Sequence, residues 1–203
     1  MSERRRGLLV DYGGVLITNV FTSFEQFCQA EGLAPQRVKE AFLGDSRELL
    51  HGLELGTMDE AEFERQFAER LGLADSAGLI DRLFGGMRPD EEMHEAVRRA
   101  REAGVKTGMV SNSWGDDRYD RNALERTFDA WVISGEVRLR KPDPQIYALG
   151  AERIGLDPSD CIFVDDLRGN LKPAQKLGMA TVHHRTADET IPQLEELLGI
   201  PLR

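Results

Sequence analysis

The sequence GLLVDYGGV, residues 7–15, joins a short apolar run to an aspartate and a pair of glycines. The apolar residues 7–10 are too few for a helix and are typical of a fully buried strand. Charge appears abruptly at Asp11, and the glycines Gly13 and Gly14 permit a tight turn out of the strand. A carboxylate in this place either caps the turn or belongs to a functional site, and this stretch alone does not separate the two interpretations.

Four later stretches resemble this first apolar run. They are short and largely β-branched, and we interpret them as strands over residues 105–110, 130–133, 161–164 and 180–183. Apolar residues between them recur with a helical period, as at Met93, Val97 and Ala100. The alternation predicts an α/β fold with a Rossmann-like parallel sheet core and helices on both faces.

The segment of residues 18–87 interrupts this alternation. Its apolar residues follow a helical period in the sets Phe24, Phe27, Cys28, then Phe63, Phe67, Leu71, and then Leu79, Leu83, Met87. Glycines that we interpret as helix ends separate the sets, namely Gly32, Gly44, Gly56 and Gly72. We therefore predict a helical cap of residues 18–87, inserted into a catalytic core of residues 1–17 and 88–203.

The composition narrows the class of protein. A chain of 203 residues with 40% hydrophobic content can bury one core and a small second one. The formal charge of -10 argues against nucleic acid as a partner, because a phosphate backbone attracts clustered cations. We expect no membrane partner, because no apolar stretch approaches the length of a span or of a signal peptide. The oligomeric state is not indicated.

Two cysteines bear on the compartment. Cys28 and Cys161 lie in apolar surroundings without the spacing of a metal site. We interpret them as buried free thiols, which are typical of a reducing cytoplasm.

Polar residues follow the predicted strands where each one ends. They are Asp11 after the first strand, Ser111 and Asn112 after the second, Lys141 soon after the third, and Asp165 with Asp166 after the fourth. In a parallel sheet these ends share one edge, and ligands bind there. Three carboxylates around one point repel unless a cation lies among them, and hard oxygen ligands favour Mg²⁺. A lysine, a hydroxyl and an amide beside that cation suit a phosphoryl group.

In this order, the polar residues resemble the four motifs of the haloacid dehalogenase superfamily. DYGGV at 11–15 resembles the first motif, usually DxDGT or DxDGV, and SN at 111–112 resembles the second. Lys141 within RKPDP is similar to the third, and FVDD at 163–166 with Asn170 is similar to the fourth. The resemblance covers essentially the whole chain. Within the superfamily, the passages SNSWGDD, RKPDPQIY and FVDDLRGNLKPAQKLGM most resemble the N-terminal phosphatase domain of soluble epoxide hydrolases and related bacterial proteins.

This resemblance implies a Mg²⁺-dependent phosphatase that hydrolyses a small phosphorylated metabolite through an aspartyl phosphate. Asp11 would be both the nucleophile and a metal ligand, and Asp166 would be the principal second carboxylate on the metal. Asp165 would act through water or from outside the ligand shell. The main-chain carbonyl of Gly13 would complete the metal ligands.

The resemblance also implies the substrate side of the site. Ser111 and Asn112 would hold phosphate oxygens, and Lys141 would neutralise both the phosphate and the nucleophile. Trp114, Asp116 and Asp117 follow the second motif and either face the cap as substrate contacts or serve the structure. Sugar phosphates and lipid phosphates both remain open as substrates.

One position departs from the pattern of the phosphatases. Most of them carry a second aspartate, the usual general acid and base, where this chain has Gly13. Metal-independent 2-haloacid dehalogenases also lack that aspartate, and they are one alternative. A non-catalytic member that binds a phosphorylated ligand or another protein is a second alternative.

Overall fold

The sheet of this protein contains five parallel strands. The computed structural model describes residues 4–44, 46–115 and 118–203. The strands are β1 (Gly7–Val10), β2 (Lys106–Ser111), β3 (Ala130–Ile133), β4 (Cys161–Asp165) and β5 (Ala180–His183). Their order across the sheet is β3-β2-β1-β4-β5, and all four pairings are parallel. The predicted strands and the α/β fold class are confirmed, with β2 displaced by one residue and β4 longer by one.

Helices account for most of the remaining chain. The first five are α1 (Val20–Ala30), α2 (Arg37–Leu43), α3 (Arg47–Glu54), α4 (Glu60–Leu71) and α5 (Leu79–Phe84). The later ones are α6 (Glu91–Glu102), α7 (Arg121–Thr127), α8 (Ser134–Val137), α9 (Pro144–Arg153), α10 (Arg168–Lys176) and α11 (Ala187–Leu198). In the part of the chain that the structure describes, no helix has the length and apolar character needed to cross a membrane.

The strand β1 lies at the centre of the sheet, and both of its faces are buried. Leu8 and Val10 pack into a cluster with α6 and α11, whereas Leu9 packs on the opposite face with α9 and α10. Side chains of a strand alternate between faces, so a continuous apolar run indicates burial on both sides. The helices on both faces therefore match the uninterrupted apolar character of residues 7–10.

The helices α1–α5 pack together around an aromatic core of their own. Phe24, Phe63 and Phe67 are buried in this cluster. The chain enters and leaves the helical segment side by side, because the N–H of Thr18 donates to the carbonyl of Arg88 at 2.8 Å. We retain the division into a core of residues 1–17 and 88–203 and a cap of residues 18–87 as a proposal that this geometry supports.

The ends of α4 show how local sequence sets a helix of the cap. The side chain of Asp59 accepts a hydrogen bond from the N–H of Glu62, which satisfies a free donor at the start of the helix. Gly72 ends the helix with a φ of 76°, a left-handed conformation that favours glycine. The predicted helix face of Leu79, Leu83 and Met87 is wrong at its last member. Because α5 ends at Phe84, before two glycines, Met87 lies beyond it.

Candidate active site

Three carboxylates meet at the carboxyl edge of the sheet. Asp11 follows β1, Asp165 is the last residue of β4, and Asp166 follows it. The N–H of Asp11 donates to the carbonyl of Val164 at 2.9 Å, which extends the pairing of β1 with β4 into the site. Each of the three aspartates offers an oxygen within 4.8 Å of the others. The structure thus brings together the acidic residues that the sequence places at separate strand ends.

Lys141 lies within this acidic cluster and is only 2% exposed. Its Nζ is 2.6 Å from Oδ1 of Asp11 and 2.8 Å from Oδ2 of Asp165. Burial alone lowers the pKa of the ammonium, but the two carboxylates outweigh it, so the pKa of Lys141 lies above its usual value. Lys141 is therefore a fixed positive charge in contact with the predicted nucleophile.

Asp165 and Asp166 have different surroundings although they are neighbours. Asp165 is fully buried, and besides Lys141 its carboxylate accepts from Nδ2 of Asn170 at 3.0 and 3.1 Å and from the N–H of Leu167 at 2.8 Å. These donors engage both oxygens, so Asp165 holds its surroundings in place. Its action from outside the metal's ligand shell stays a prediction.

Asp166 is half-buried and has fewer partners. Nδ2 of Asn19 donates to its Oδ2 at 3.0 Å, and Nε2 of His183 lies 3.0 Å from its main-chain oxygen. Burial and the charge of Asp165 raise the pKa of Asp166 to about 6, although Lys141 opposes them. The chain at Gly14, with a φ of 74°, leaves no room for a side chain, because a Cβ there would be 2.3 Å from Oδ2 of Asp166. One member of the glycine pair is thus required by the carboxylate itself.

The donor set of this cluster fits a divalent cation. Three carboxylates approach one point. Burial and the charge of Asp165 raise the pKa of Asp11 against the opposing effect of Lys141, so the cluster carries unfavourable negative charge. A hard cation relieves such repulsion, and carboxylate and carbonyl oxygens are the ligands that Mg²⁺ prefers. Asp11, Asp166 and the carbonyl of Gly13 are the groups that would hold it.

Ser111 and Asn112 follow one another at the end of β2 but have different contacts. The Oγ of Ser111 is 2.8 Å from the hydroxyl of Tyr119, and both residues are buried. The side chain of Asn112 instead clamps the main chain of Lys141, accepting from its N–H at 2.8 Å and donating to its carbonyl at 3.1 Å. Phosphate binding by Ser111 and Asn112 stays a prediction. The side-chain amide of Asn112 also fixes the main chain of Lys141.

A cavity of about 710 Å³ extends from these polar groups into the cap. Its base contains Asp11, Ser111, Lys141 and Asp166. Its far wall is mainly apolar and comprises Val20, Phe21, Phe24, Phe42, Leu43, Leu50, Phe84, Met87 and Trp114. The charged residues Lys39, Arg88 and Arg118 also line the cavity. Ring centroids of Phe84 and Phe42 lie 4.8 and 5.1 Å from that of Trp114. Trp114 therefore faces the cap, whereas Asp116 and Asp117 lie outside the described residues.

Three residues that contact the predicted site were missed in the sequence. Glu54 of α3 binds Asn112 and Arg140, Tyr119 binds Ser111, and Asn19 binds Asp166. None of them belongs to a motif or follows a predicted strand. Only the spatial approach of distant segments reveals them.

Comparisons with known proteins agree with this geometry. Bifunctional epoxide hydrolase 2 of Sus scrofa is 31% identical over 131 residues, which are 61% of this chain and 24% of that protein. The chain therefore spans about a quarter of the length of this relative. Sesquiterpene phosphatase astK of Aspergillus oryzae is 28% identical over 151 residues, which are 72% of this chain and 77% of that protein. An (S)-2-haloacid dehalogenase 4A of Burkholderia cepacia is 31% identical over 120 residues, 54% of this chain and 50% of that protein.

A solved structure shows the same fold. It is a HAD family enzyme of Bacteroides thetaiotaomicron with a TM-score of 0.71 and 24% identity, and the alignment covers 90% of this chain and 95% of that one. The same protein has been solved with magnesium and inorganic phosphate. The model of the haloacid dehalogenase-like hydrolase family matches residues 6–178, which include all four motifs. The resemblance in the motifs is thereby confirmed, and the chain belongs to the haloacid dehalogenase-like hydrolase family.

Proposed function

We propose that this hydrolase is a Mg²⁺-dependent phosphatase that removes phosphate from esters of apolar alcohols. The observation that carries the proposal is the buried pair of Asp11 and Lys141 within the carboxylate cluster, at the base of a cavity with an apolar wall. The base provides the chemistry of phosphoryl transfer. The wall provides the affinity for the organic part of the substrate.

The proposed reaction has two steps. The carboxylate of Asp11 attacks phosphorus, the bond to the ester oxygen breaks, and an aspartyl phosphate forms, while the departing oxygen takes a proton from water and leaves as the alcohol. Water then attacks that phosphorus and releases inorganic phosphate, which restores the carboxylate. Lys141 neutralises charge on the phosphoryl oxygens in both steps, because its ammonium is held 2.6 Å from Asp11. Mg²⁺, when bound, would supply further neutralisation of the phosphoryl charge.

The cavity wall supports lipid phosphates over sugar phosphates, the two substrate classes that the sequence leaves open. A sugar would direct its hydroxyls against the rings of Phe24, Phe42 and Phe84, where they would lose hydrogen bonds to water. A hydrocarbon chain loses none and gains from burial at about 25 cal/mol per Å². The similarity to a sesquiterpene phosphatase supports the same class.

A 2-haloacid dehalogenase is the second candidate, because one relative carries that name. A dehalogenase forms a carboxylate ester on its aspartate and needs no cation to hydrolyse it. The paired Asp165 and Asp166 beside Asp11 favour the metal-dependent reaction instead. The cation requirement therefore separates the two candidates.

The reaction is tested with a small aryl phosphate, with Mg²⁺ and with excess chelator. We expect phosphate release that requires Mg²⁺. Full activity in chelator contradicts the proposal, and halide release from a 2-haloacid under the same conditions supports the second candidate.

The substrate class is tested with a long-chain isoprenoid monophosphate and a hexose phosphate. We expect kcat/KM to favour the isoprenoid ester by about 10-fold or more, since each buried methylene adds to binding. A preference for the hexose phosphate contradicts the apolar class while leaving the phosphatase reaction intact.

A further inference from the structure

Glu54 is a cap residue whose carboxylate reaches the core. It is the last residue of α3 and only 5% exposed. Its Oε2 accepts from Nε of Arg140 at 2.6 Å, and its Oε1 accepts from Nδ2 of Asn112 at 3.4 Å. A carboxylate removed from water is costly unless such partners replace the lost hydration. Glu54 thus joins the cap to two separate loops of the core.

Both partners of Glu54 adjoin Lys141. Arg140 directly precedes it, and the side chain of Asn112 holds its main chain through two hydrogen bonds of 2.8 and 3.1 Å. The ammonium of Lys141 lies at the other end of the same residue, against Asp11 and Asp165. A shift of Asn112 or Arg140 therefore moves the main chain from which the ammonium extends.

The contacts explain why this position needs a carboxylate. Nε of Arg140 and Nδ2 of Asn112 are both donors, and they reach different oxygens of Glu54, so both oxygens act as acceptors in this arrangement. A glutamine offers one oxygen and one NH₂ group, and therefore leaves one of the two donors without an acceptor. The ion pair with Glu54 also neutralises the charge of Arg140. The guanidinium next to Lys141 in the chain therefore adds no net positive charge near the pair of Lys141 and Asp11.

We propose that Glu54 is a positioning residue that, from the cap, sets the place of Lys141 beside the nucleophile. The proposal rests on the proposed phosphatase function and deepens it. It makes an ordered cap part of the catalytic arrangement, because α3 has to dock before Asn112 and Arg140 are both held. Glu54 acts through these two residues and needs no contact with substrate.

Glu54 also lines the cavity, but the role that competes most directly with positioning is cap docking alone. Its carbonyl accepts a hydrogen bond from the hydroxyl of Ser134, so α3 also contacts the core through its main chain. A second ion-pair bridge between cap and core provides the matched control. There, Arg118 of the core binds Glu60 of α4 at 2.9 Å and also binds Asp81 of α5. Among the described residues, Glu60 makes no hydrogen bond or ion pair with Asn112, Arg140 or Lys141, so Glu60→Gln weakens docking without touching that link.

The test compares Glu54→Gln with Glu60→Gln in the complete chain. For Glu54→Gln we expect kcat to fall by about 10- to 100-fold, the range for a slightly misplaced catalytic group. For Glu60→Gln we expect kcat within about twofold of the wild type and at most a raised KM. A loosened cap weakens substrate binding equally in the ground state and the transition state, which raises KM and leaves kcat unchanged. Thermal unfolding of both variants shows whether the loss of docking is comparable. Equal kcat in the two variants, or an unchanged kcat in Glu54→Gln, overturns the proposal.

A measurement without turnover keeps the proposal separate from the proposed function. Binding of inorganic phosphate in the presence of Mg²⁺, followed by calorimetry, should weaken in Glu54→Gln and not in Glu60→Gln. A wild type that cleaves no phosphate ester contradicts the phosphatase, whereas equal phosphate affinity in both variants contradicts the role of Glu54. Arg140→Gln removes the same ion pair from the core side and replaces Glu54→Gln if that variant does not fold. A kcat and phosphate affinity unchanged in Arg140→Gln then count against the proposal.

Discussion

The base and the wall of the cavity are built in opposite ways. The base consists of polar residues at strand ends, such as Asp11, Ser111 and Asp166, whose positions follow from a parallel sheet. The wall consists mostly of cap residues such as Phe24, Phe42 and Leu50, which come from three different helices, and Trp114 of the core completes it. The residues of the base belong to short sequence motifs, and they carry the proposed chemistry. The wall has no motif, and it carries the preference for the organic group.

The strongest test of the base is Asp11→Asn. An amide is neither a nucleophile nor an anionic ligand, so we expect kcat to fall by on the order of 10⁴-fold or more. Phosphate release from an aryl phosphate measures the loss, and circular dichroism shows that the fold is retained. Substantial activity in this variant would place the nucleophile elsewhere.

The next test concerns the missing acid at Gly13. A positioned general acid contributes about 10²- to 10⁴-fold, so catalysis without one should depend steeply on the pKa of the leaving group. A Cβ at this position would have Val20 as its nearest neighbour at 3.8 Å, so there is room to begin a side chain in Gly13→Asp.

A series of aryl phosphates of graded leaving-group pKa decides this point when bond cleavage limits the rate. We expect a steep dependence in the wild type and a shallower one in Gly13→Asp. A flat wild-type dependence would mean that another group already donates the proton.

The two neighbouring carboxylates Asp165 and Asp166 are expected to differ in function. Asp166→Ala should raise the Mg²⁺ concentration needed for activity by more than the roughly 10- to 100-fold that loss of a group outside the ligand shell costs. Asp165→Ala should instead destabilise the fold by about 1–3 kcal/mol, because Asn170 and the N–H of Leu167 lose their buried acceptor while Lys141 keeps Asp11. Mg²⁺ titration and chemical denaturation of both variants measure the two effects. A larger increase in the required Mg²⁺ concentration in Asp165→Ala would mean that Asp165, and not Asp166, is the direct metal ligand.

The wall is tested at Leu43, which lines the cavity and is 72% exposed. Leu43→Gln should raise KM for an isoprenoid phosphate by about 10-fold at most, the effect of losing roughly 1 kcal/mol of apolar contact. The same variant should leave KM for a small aryl phosphate unchanged, which is the internal control. An equal change in KM for both substrates would show that Leu43 does not contribute to the preference for apolar alcohols.

The smallest expected effect is that of Tyr119→Phe. Its hydroxyl is 2.8 Å from Oγ of Ser111, and one neutral hydrogen bond contributes about 0.5–1.5 kcal/mol. We expect kcat/KM to fall by about 2- to 10-fold without loss of the metal requirement. Ser111→Ala is the companion variant, and after it Tyr119→Phe should have no further effect. An additive loss would show that Tyr119 acts independently of Ser111.

Much of the core could be predicted from the sequence for a physical reason. Continuous apolar runs such as residues 7–10 indicate buried parallel strands, and the ends of parallel strands lie at one edge. The grouping of Asp11, Lys141 and Asp165 follows from that geometry. Even the error at Met87 has a local cause, because the helical period continues past Phe84 although two glycines end the helix.

By itself, the sequence determined the parallel sheet, the helical character of residues 18–87 and the order of the polar residues along the sheet's edge. Only the tertiary structure decided what the cap presents to that edge. Glu54 lies 86 positions from Arg140 and 58 from Asn112, and no periodicity relates residues so far apart. Helical period shows that one face of a helix is buried, but it does not show whether that face lines its own core or a cavity. The apolar wall and the bridge from Glu54 to the lysine therefore depend on how the helices of the cap dock.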